Sequence, residues 1–258
     1  ASYRRQRQMC IRDSVWVFIF KENKDNYLKV HFLDVGQGDS ILIEAPNNNQ
    51  ILIDTGSNKK VLESIRKIIP IYDKKIDAIL LTHPDLDHIG GTVPLSNVFD
   101  IRYLFSASST KETEVTDEIN KIKTVEKIYL NRGDKLFLDL ENNIYLEVLF
   151  PDNSFLKESI DINDQSLVLR LVFKEICFLF NGDVSKTIEK YLITNYQDGL
   201  DCNVLKVGHH GSNTSTSEEF VGFVSPEYGV ISSGKENKFG HPHQEVLDNL
   251  KKFDVKIL

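Results

Sequence analysis

Ten residues, Thr82-His83-Pro84-Asp85-Leu86-Asp87-His88-Ile89-Gly90-Gly91, constrain this chain more than any other stretch. Two histidines and two carboxylates fall within six positions, directly behind the apolar run Ile79-Leu80-Leu81. A short apolar run of that kind reads as a buried strand, so the polar loop sits where a strand leaves the core. Imidazole and carboxylate together suit borderline divalent cations such as zinc and manganese. His83 and Asp85 alternate, so in extended chain they face the same way. Asp87 and His88 are adjacent and turn to a second ion where the loop enters a helix. The pattern therefore suits two metals, which at about 3.5–4 Å apart share ligands and clamp a displacement between them. Gly90 and Gly91 allow a tight turn and close backbone approach. A polar loop with a His–Asp salt bridge and a capped helix would account for any one of these residues, but not for four at this spacing.

Composition bounds the rest. The 258 residues suffice for one large domain or two small ones, and a hydrophobic content of 41% is that of a globular protein. The net charge of −7 argues against a surface that coats nucleic acid, though not against a nuclease. Cys10, Cys177 and Cys202 form no C-x-x-C pair. Cys177 lies in an apolar strand-like run and reads as a buried thiol, so no disulfide framework is expected. No stretch of 18 apolar residues is present, and hence no complete transmembrane helix.

Residues 1–13 are basic and unlike the rest of the chain; they read as a non-native or disordered arm, with contact to anionic lipid or DNA as the functional alternative. Residues 14–27 read as a linker or a membrane-helix remnant; the apolar Ser14–Phe20 within them also fits an edge strand or a partial signal segment. A single folded domain is placed at 28–258, with its C-terminus cut. Within it, 28–35 and 40–45 flank Gly36-Gln37-Gly38 as a hairpin, with Asp34, Gln37 and Asp39 clustered at the turn. Gln50–Ile53 is a strand ending at Asp54, which fits a helix cap. Lys59–Ile69 is a helix ended by Pro70, and Ile76–Leu81 is the strand feeding the metal loop, a βαβ-like pattern. Further on, Ile144–Phe150, Ser166–Phe173, Ile176–Phe180, Asn203–Val207 and Tyr228–Ser232 read as strands. Helices are expected at Lys111–Lys123, at Ser185–Tyr196, from a Thr216-x-x-Glu219 capping box, and after His243. The adjacent His209 and His210 follow an apolar strand, as the metal loop does. One of them is expected to bind metal, with His209 favoured, and the other to contact substrate or donate a proton. Ser212 and Asn213, with Ser215, either hold a phosphate-like group or form a polar loop.

His83-x-Asp85-x-Asp87-His88 resembles the metal motif of the metallo-β-lactamase superfamily, with Asp85 where a second histidine is usual. Together with Phe32–Ser40, Leu52-Ile53-Asp54-Thr55-Gly56, Asn181-Gly182-Asp183 and Lys206–Ser212, it resembles the hydrolase domain of ComEC-type competence proteins and their free-standing relatives, over roughly residues 29–253. The resemblance implies a four-layer αβ/βα sandwich with its site along one edge. It implies His83, Asp85, Asp87, His88, Asp183, His209 and His241 as ligands of two divalent ions, Zn or Mn, with Asp183 bridging and Asp54 orienting the ligands from behind. Many superfamily members carry a histidine near Asn163-Asp164-Gln165; this chain has none, and the second metal site is expected to be the weaker, with His241 as a partial replacement. The implied reaction is hydrolysis by metal-activated water, with Asp87 and His210 as catalytic residues. The substrate is a phosphate ester: a phosphodiester in DNA during competence uptake, or a phosphocholine ester of cell-wall polymers. A catalytically weak metal-binding domain of a membrane DNA transporter is the alternative of a different class, and a lactamase role fits less well because of Asp85 and the missing histidine. A membrane domain in a longer protein is the one partner suggested.

Overall fold

The computed structural model describes residues 16–21, 27–107, 113–152 and 161–258. The expected basic arm at 1–13, the residues Ser14 and Val15, and the middle of the polar loop at 151–163 lie outside the described residues. The first sheet runs in chain order through β1 (Trp16–Lys21), β2 (Tyr27–Phe32), β3 (Ile41–Glu44), β4 (Gln50–Ile53), β5 (Lys75–Leu81), β6 (Asp100–Ala107) and β7 (Glu126–Leu130). The second runs through β8 (Lys135–Asp139), β9 (Ile144–Phe150), β10 (Val168–Phe173), β11 (Ile176–Phe180), β12 (Val204–Lys206), β13 (Tyr228–Val230) and β14 (Lys256–Ile257). Each begins as an antiparallel meander, β1 to β4 and β8 to β11, and ends parallel, β4 to β7 and β11 to β14. Parallel pairs need crossovers, and helices supply them.

Strand alternation decides what each face buries. Ile41, Ile43, Ile51, Ile53, Ala78 and Leu80 meet Leu146, Val148, Leu169, Leu171, Phe178 and Phe180 in a core between the sheets. Their neighbours Leu42, Leu52, Ile79 and Leu81 turn outward, against α1 (Lys60–Ile65), α2 (Leu86–Ile89), α3 (Thr92–Ser96) and α4 (Glu114–Asn120). On the far side, Val168, Leu179 and Leu205 pack on α5 (Lys186–Tyr196) and α6 (Glu218–Val224), and Val207 packs near α7 (Gln244–Lys252). The result is helix, sheet, sheet, helix, the four-layer αβ/βα sandwich expected. Truncating a fully buried Leu80 to alanine would cost about 2–5 kcal/mol.

Several local expectations change. Trp16–Lys21 is a strand paired antiparallel to β2 at the edge of the first sheet. α1 stops at Ile65, shorter than Lys59–Ile69, although Val61, Ile65 and Ile69 are all buried as their spacing requires. The Thr216-x-x-Glu219 box does not form: Ser217 caps α6 by accepting from Phe220 N, and Thr216 N donates to the Glu189 carboxylate instead. The buried-thiol reading of Cys177 is corrected too. Cys177 and Cys202 are joined in a disulfide between the starts of β11 and β12, because parallel pairing brings residues 25 apart in sequence side by side. No described helix is long and apolar enough to cross a membrane.

Candidate active site

The site forms where β4, β5, β11 and β12 end. Asp54 leaves β4 with φ +56°, a left-handed conformation that Asp tolerates better than most residues. Its buried carboxylate accepts from Thr82 N at 2.8 Å, Thr82 Oγ1 at 2.7 Å and His88 Nδ1 at 2.7 Å. The residue that follows β4 therefore fixes both the start of the metal loop and the ring of His88. β5 delivers His83, whose Nδ1 lies 3.1 Å from Thr82 Oγ1. Since that hydroxyl is donated to Asp54, it receives the His83 Nδ1 proton.

The second sheet supplies the other wall. Asp183 follows β11 and is buried. After β12 the chain takes two successive left-handed residues, His209 at φ +47° and His210 at φ +54°. Gly211 then permits close contact, because a Cβ there would meet Pro242 Cβ at 2.6 Å. Such conformations cost about 1–3 kcal/mol each and persist only where the surroundings impose them. They aim adjacent histidines at one centre. His210 Nδ1 donates to Ser232 O at 2.9 Å, and His209 Nδ1 lies 3.0 Å from Thr214 Oγ1, itself bonded to Ser212.

In all four rings, then, Nδ1 is tied back and Nε2 points inward. His88, His210, His209 and His83 place Nε2 at 3.3, 3.5, 3.8 and 3.9 Å from a single oxygen, Asp183 Oδ2. His210 Nε2 lies 3.3 Å from both His88 Nε2 and Asp87 Oδ2. Asp85, 44% exposed, reaches to 3.8 Å from His83 Nε2. His241 stands behind His209, with ring centres 5.8 Å apart.

A cation fits this donor set. His83 Nε2 and Asp183 Oδ1 are buried without a hydrogen-bond partner, an expensive condition for polar atoms unless an ion takes them up. Asp39, His88, Asp183 and His210 hold donor atoms within 4.8 Å of one another. The titration pattern is that of a crowded ligand set. Burial and the neighbouring His88 push His83 down to about 3. Burial and His209 push His241 down to about 4. His210 goes the other way, to about 10, because Asp183 and Asp39 outweigh its burial. Burial likewise opposes ionisation of Asp183, but His210 and His88 hold it well below the usual carboxylate range.

Every residue nominated from sequence as a ligand lies at or beside this centre. His210, 2% exposed, occupies the tighter position, whereas the favoured ligand His209 is 25% exposed. Ser212 is buried and bonded to Thr214, and Asn213 offers its backbone N–H to His243 Nδ1 at 3.0 Å. Asp39, Lys206 and Ser232 join this centre without having been nominated for it, although the resemblance implies that the first hairpin's turn lies near the active face. Asp39 was visible in the turn cluster of the first hairpin, but nothing in a linear reading brings a turn residue to β12.

The comparisons agree with this geometry. A family model described as the metallo-beta-lactamase superfamily matches residues 33–235. ComE operon protein 3 of Bacillus subtilis is 31% identical over 250 residues, covering 89% of this chain and 31% of that protein. Competence protein ComA of Neisseria gonorrhoeae is 30% identical over 243 residues, covering 91% of this chain and 31% of that protein. The chain thus spans about a third of the length of these relatives. Among solved structures, the metallo-beta-lactamase fold protein YhfI from Bacillus subtilis superposes with a TM-score of 0.57 at 12% identity, over 88% of this chain and 95% of that one. The chain belongs to the metallo-beta-lactamase superfamily.

Proposed function

We propose that this metal-dependent hydrolase cleaves phosphodiester bonds, with DNA as its substrate class. The observation that carries the reading is the convergence of four imidazole Nε2 atoms on Asp183 Oδ2. His83 with Asp85, and Asp87 with His88 and His210, would hold two divalent cations, Zn or Mn, with Asp183 shared between them. When bound, such cations neutralise phosphate oxygens and acidify water towards neutral pH. The burial and close contacts of His210 favour it as ligand, which leaves the more exposed His209 to donate a proton to the leaving oxygen. Asp87 is the group in reach to orient or deprotonate the attacking water; burial acts against its charge, but its hydrogen bond with His210 holds it below the usual carboxylate range.

The rim carries groups that suit a nucleic acid. Phe239, 62% exposed, stacks on His241 with ring centres 5.6 Å apart and planes 23° apart. Asn237 staples the loop by accepting from Phe239 N and His241 N. Lys235 and Lys238 of the same loop are exposed and make no ion pair among the described residues. Lysines beside an exposed ring suit a phosphate backbone and a stacked base. The relative named as a competence protein, of which this chain spans 31%, supports placing the reaction in DNA uptake.

The test is turnover with Mn²⁺ or Zn²⁺ on single-stranded DNA, duplex DNA, bis-nitrophenyl phosphate and a phosphocholine ester. Cleavage of DNA and the model diester, weakened about fivefold to a hundredfold on DNA alone by Phe239→Ala, is expected. Turnover confined to the phosphocholine ester, or none on any diester, would end the proposal.

A further inference from the structure

Asp39 and Lys206 form an ion pair almost wholly shielded from water, Nζ to Oδ2 2.7 Å, with side chains 3% and 1% exposed. Such a pair is seldom worth more than apolar residues of the same volume, because desolvation offsets the attraction. Its surroundings suggest another use. The free oxygen, Oδ1, lies 3.3 Å from His210 Nδ1, the ring nitrogen remote from Asp183. Lys206 Nζ also donates to Val207 O at 2.9 Å, at the entry to the His209-His210 turn. The hairpin carrying Asp39 is itself locked on the metal loop. Asp39 N donates to Asp87 O at 3.3 Å, and a Cβ on Gly38 would stand 2.0 Å from that same oxygen. Ser232 closes the ring: its hydroxyl donates to Gly38 O at 2.7 Å while its carbonyl accepts from His210 Nδ1.

Composition alone would count Asp39 as a fourth ligand beside His88, Asp183 and His210. We infer that it is instead the holder of His210, and that Lys206 keeps its carboxylate turned to the ring's Nδ1 side and away from the cations. The arrangement differs from that of His88, whose Nδ1 is bonded to the Asp54 carboxylate at 2.7 Å: the Nδ1 proton of His210 goes to Ser232 O, and Asp39 Oδ1, itself without a hydrogen-bond partner, sets a negative charge 3.3 Å from that nitrogen. The inference rests on His210 being a metal ligand.

The test uses calorimetric titration with Mn²⁺ and Zn²⁺, and ¹⁵N NMR of the histidine rings in the Zn²⁺-loaded protein, where His210 has released its second proton. Lys206→Met should weaken binding about tenfold to a hundredfold with stoichiometry unchanged, and should lower the share of His210 carrying its proton on Nδ1. If that variant fails to fold, Asp39→Asn with Lys206→Met removes both charges together; it should fold and still bind more weakly by a similar factor. Wild-type affinity and an unchanged His210 tautomer in the double variant would overturn the inference. So would loss of one whole metal equivalent in Asp39→Asn, which would make Asp39 a ligand. His210→Ala is the control: unchanged affinity there would refute the underlying reading of His210 itself.

Discussion

The two halves of the sandwich build their share of the site in different ways. The first sheet contributes His83, Asp85, Asp87 and His88 from one continuous loop after β5, backed by Asp54 from the neighbouring strand. The second contributes Asp183, His209, His210 and His241 from three separate connections, after β11, after β12 and before α7. A single backbone turn thus positions several candidate ligands in the first half, whereas those of the second depend on three separate connections. The first half should be fragile to one misplaced backbone atom; the second should tolerate strain away from its strand ends.

Asp183, the point where the halves meet, should show the largest effect. Asp183→Asn is expected to lower turnover about a thousandfold and to remove bound metal, beyond the tenfold to hundredfold typical of losing an outer partner. Metal content and rate near wild type would break the comparison at its joint. Next comes the first half's backbone. Gly38→Ala puts a Cβ on Asp87 O at a φ of +113°, and should cost about 3 kcal/mol and weaken metal binding with it. Thermal unfolding and metal titration on the same samples would read both. The second half offers the contrast. Cys177→Ser with Cys202→Ser opens the cross-link spanning 25 residues, worth about 2–3 kcal/mol, at the ends of β11 and β12 opposite the site. Stability should fall with metal affinity unchanged; a parallel loss of affinity would mean that the two halves are not so different.

The last contrast is in pH. His210 in the metal-free protein is raised to about 10, so near neutrality it must release a proton before it can ligate. Apparent metal affinity should rise with pH up to that value, about tenfold per unit for that proton. For the metal-free fold the sign reverses. A histidine raised above 6.5 adds stability that is complete below that pH and is lost as pH climbs through about 10. Metal titrations and melting curves run in parallel across pH would separate the two.

Much of this protein was determined by its sequence alone. The unbroken apolar runs around Leu42, Leu52 and Leu80 read as strands buried on both faces, and the resemblance of the motifs implied the four-layer sandwich that covers them. The spacing of His83, Asp85, Asp87 and His88 required a metal loop, because local backbone geometry by itself brings those four side chains together. Only the tertiary structure decided what depends on strand pairing across long separations. It set the disulfide of Cys177 with Cys202, a consequence of β11 lying parallel to β12. It joined Asp39 to Lys206 and His210, which a linear reading leaves as a turn carboxylate, a strand lysine and a loop histidine. It also placed His210 deeper than His209, since the left-handed turn after β12, and not the order of the residues, fixes where each ring points. Proximity along the chain can be read from the chain; proximity across two sheets exists only once their hydrogen bonds have set the register.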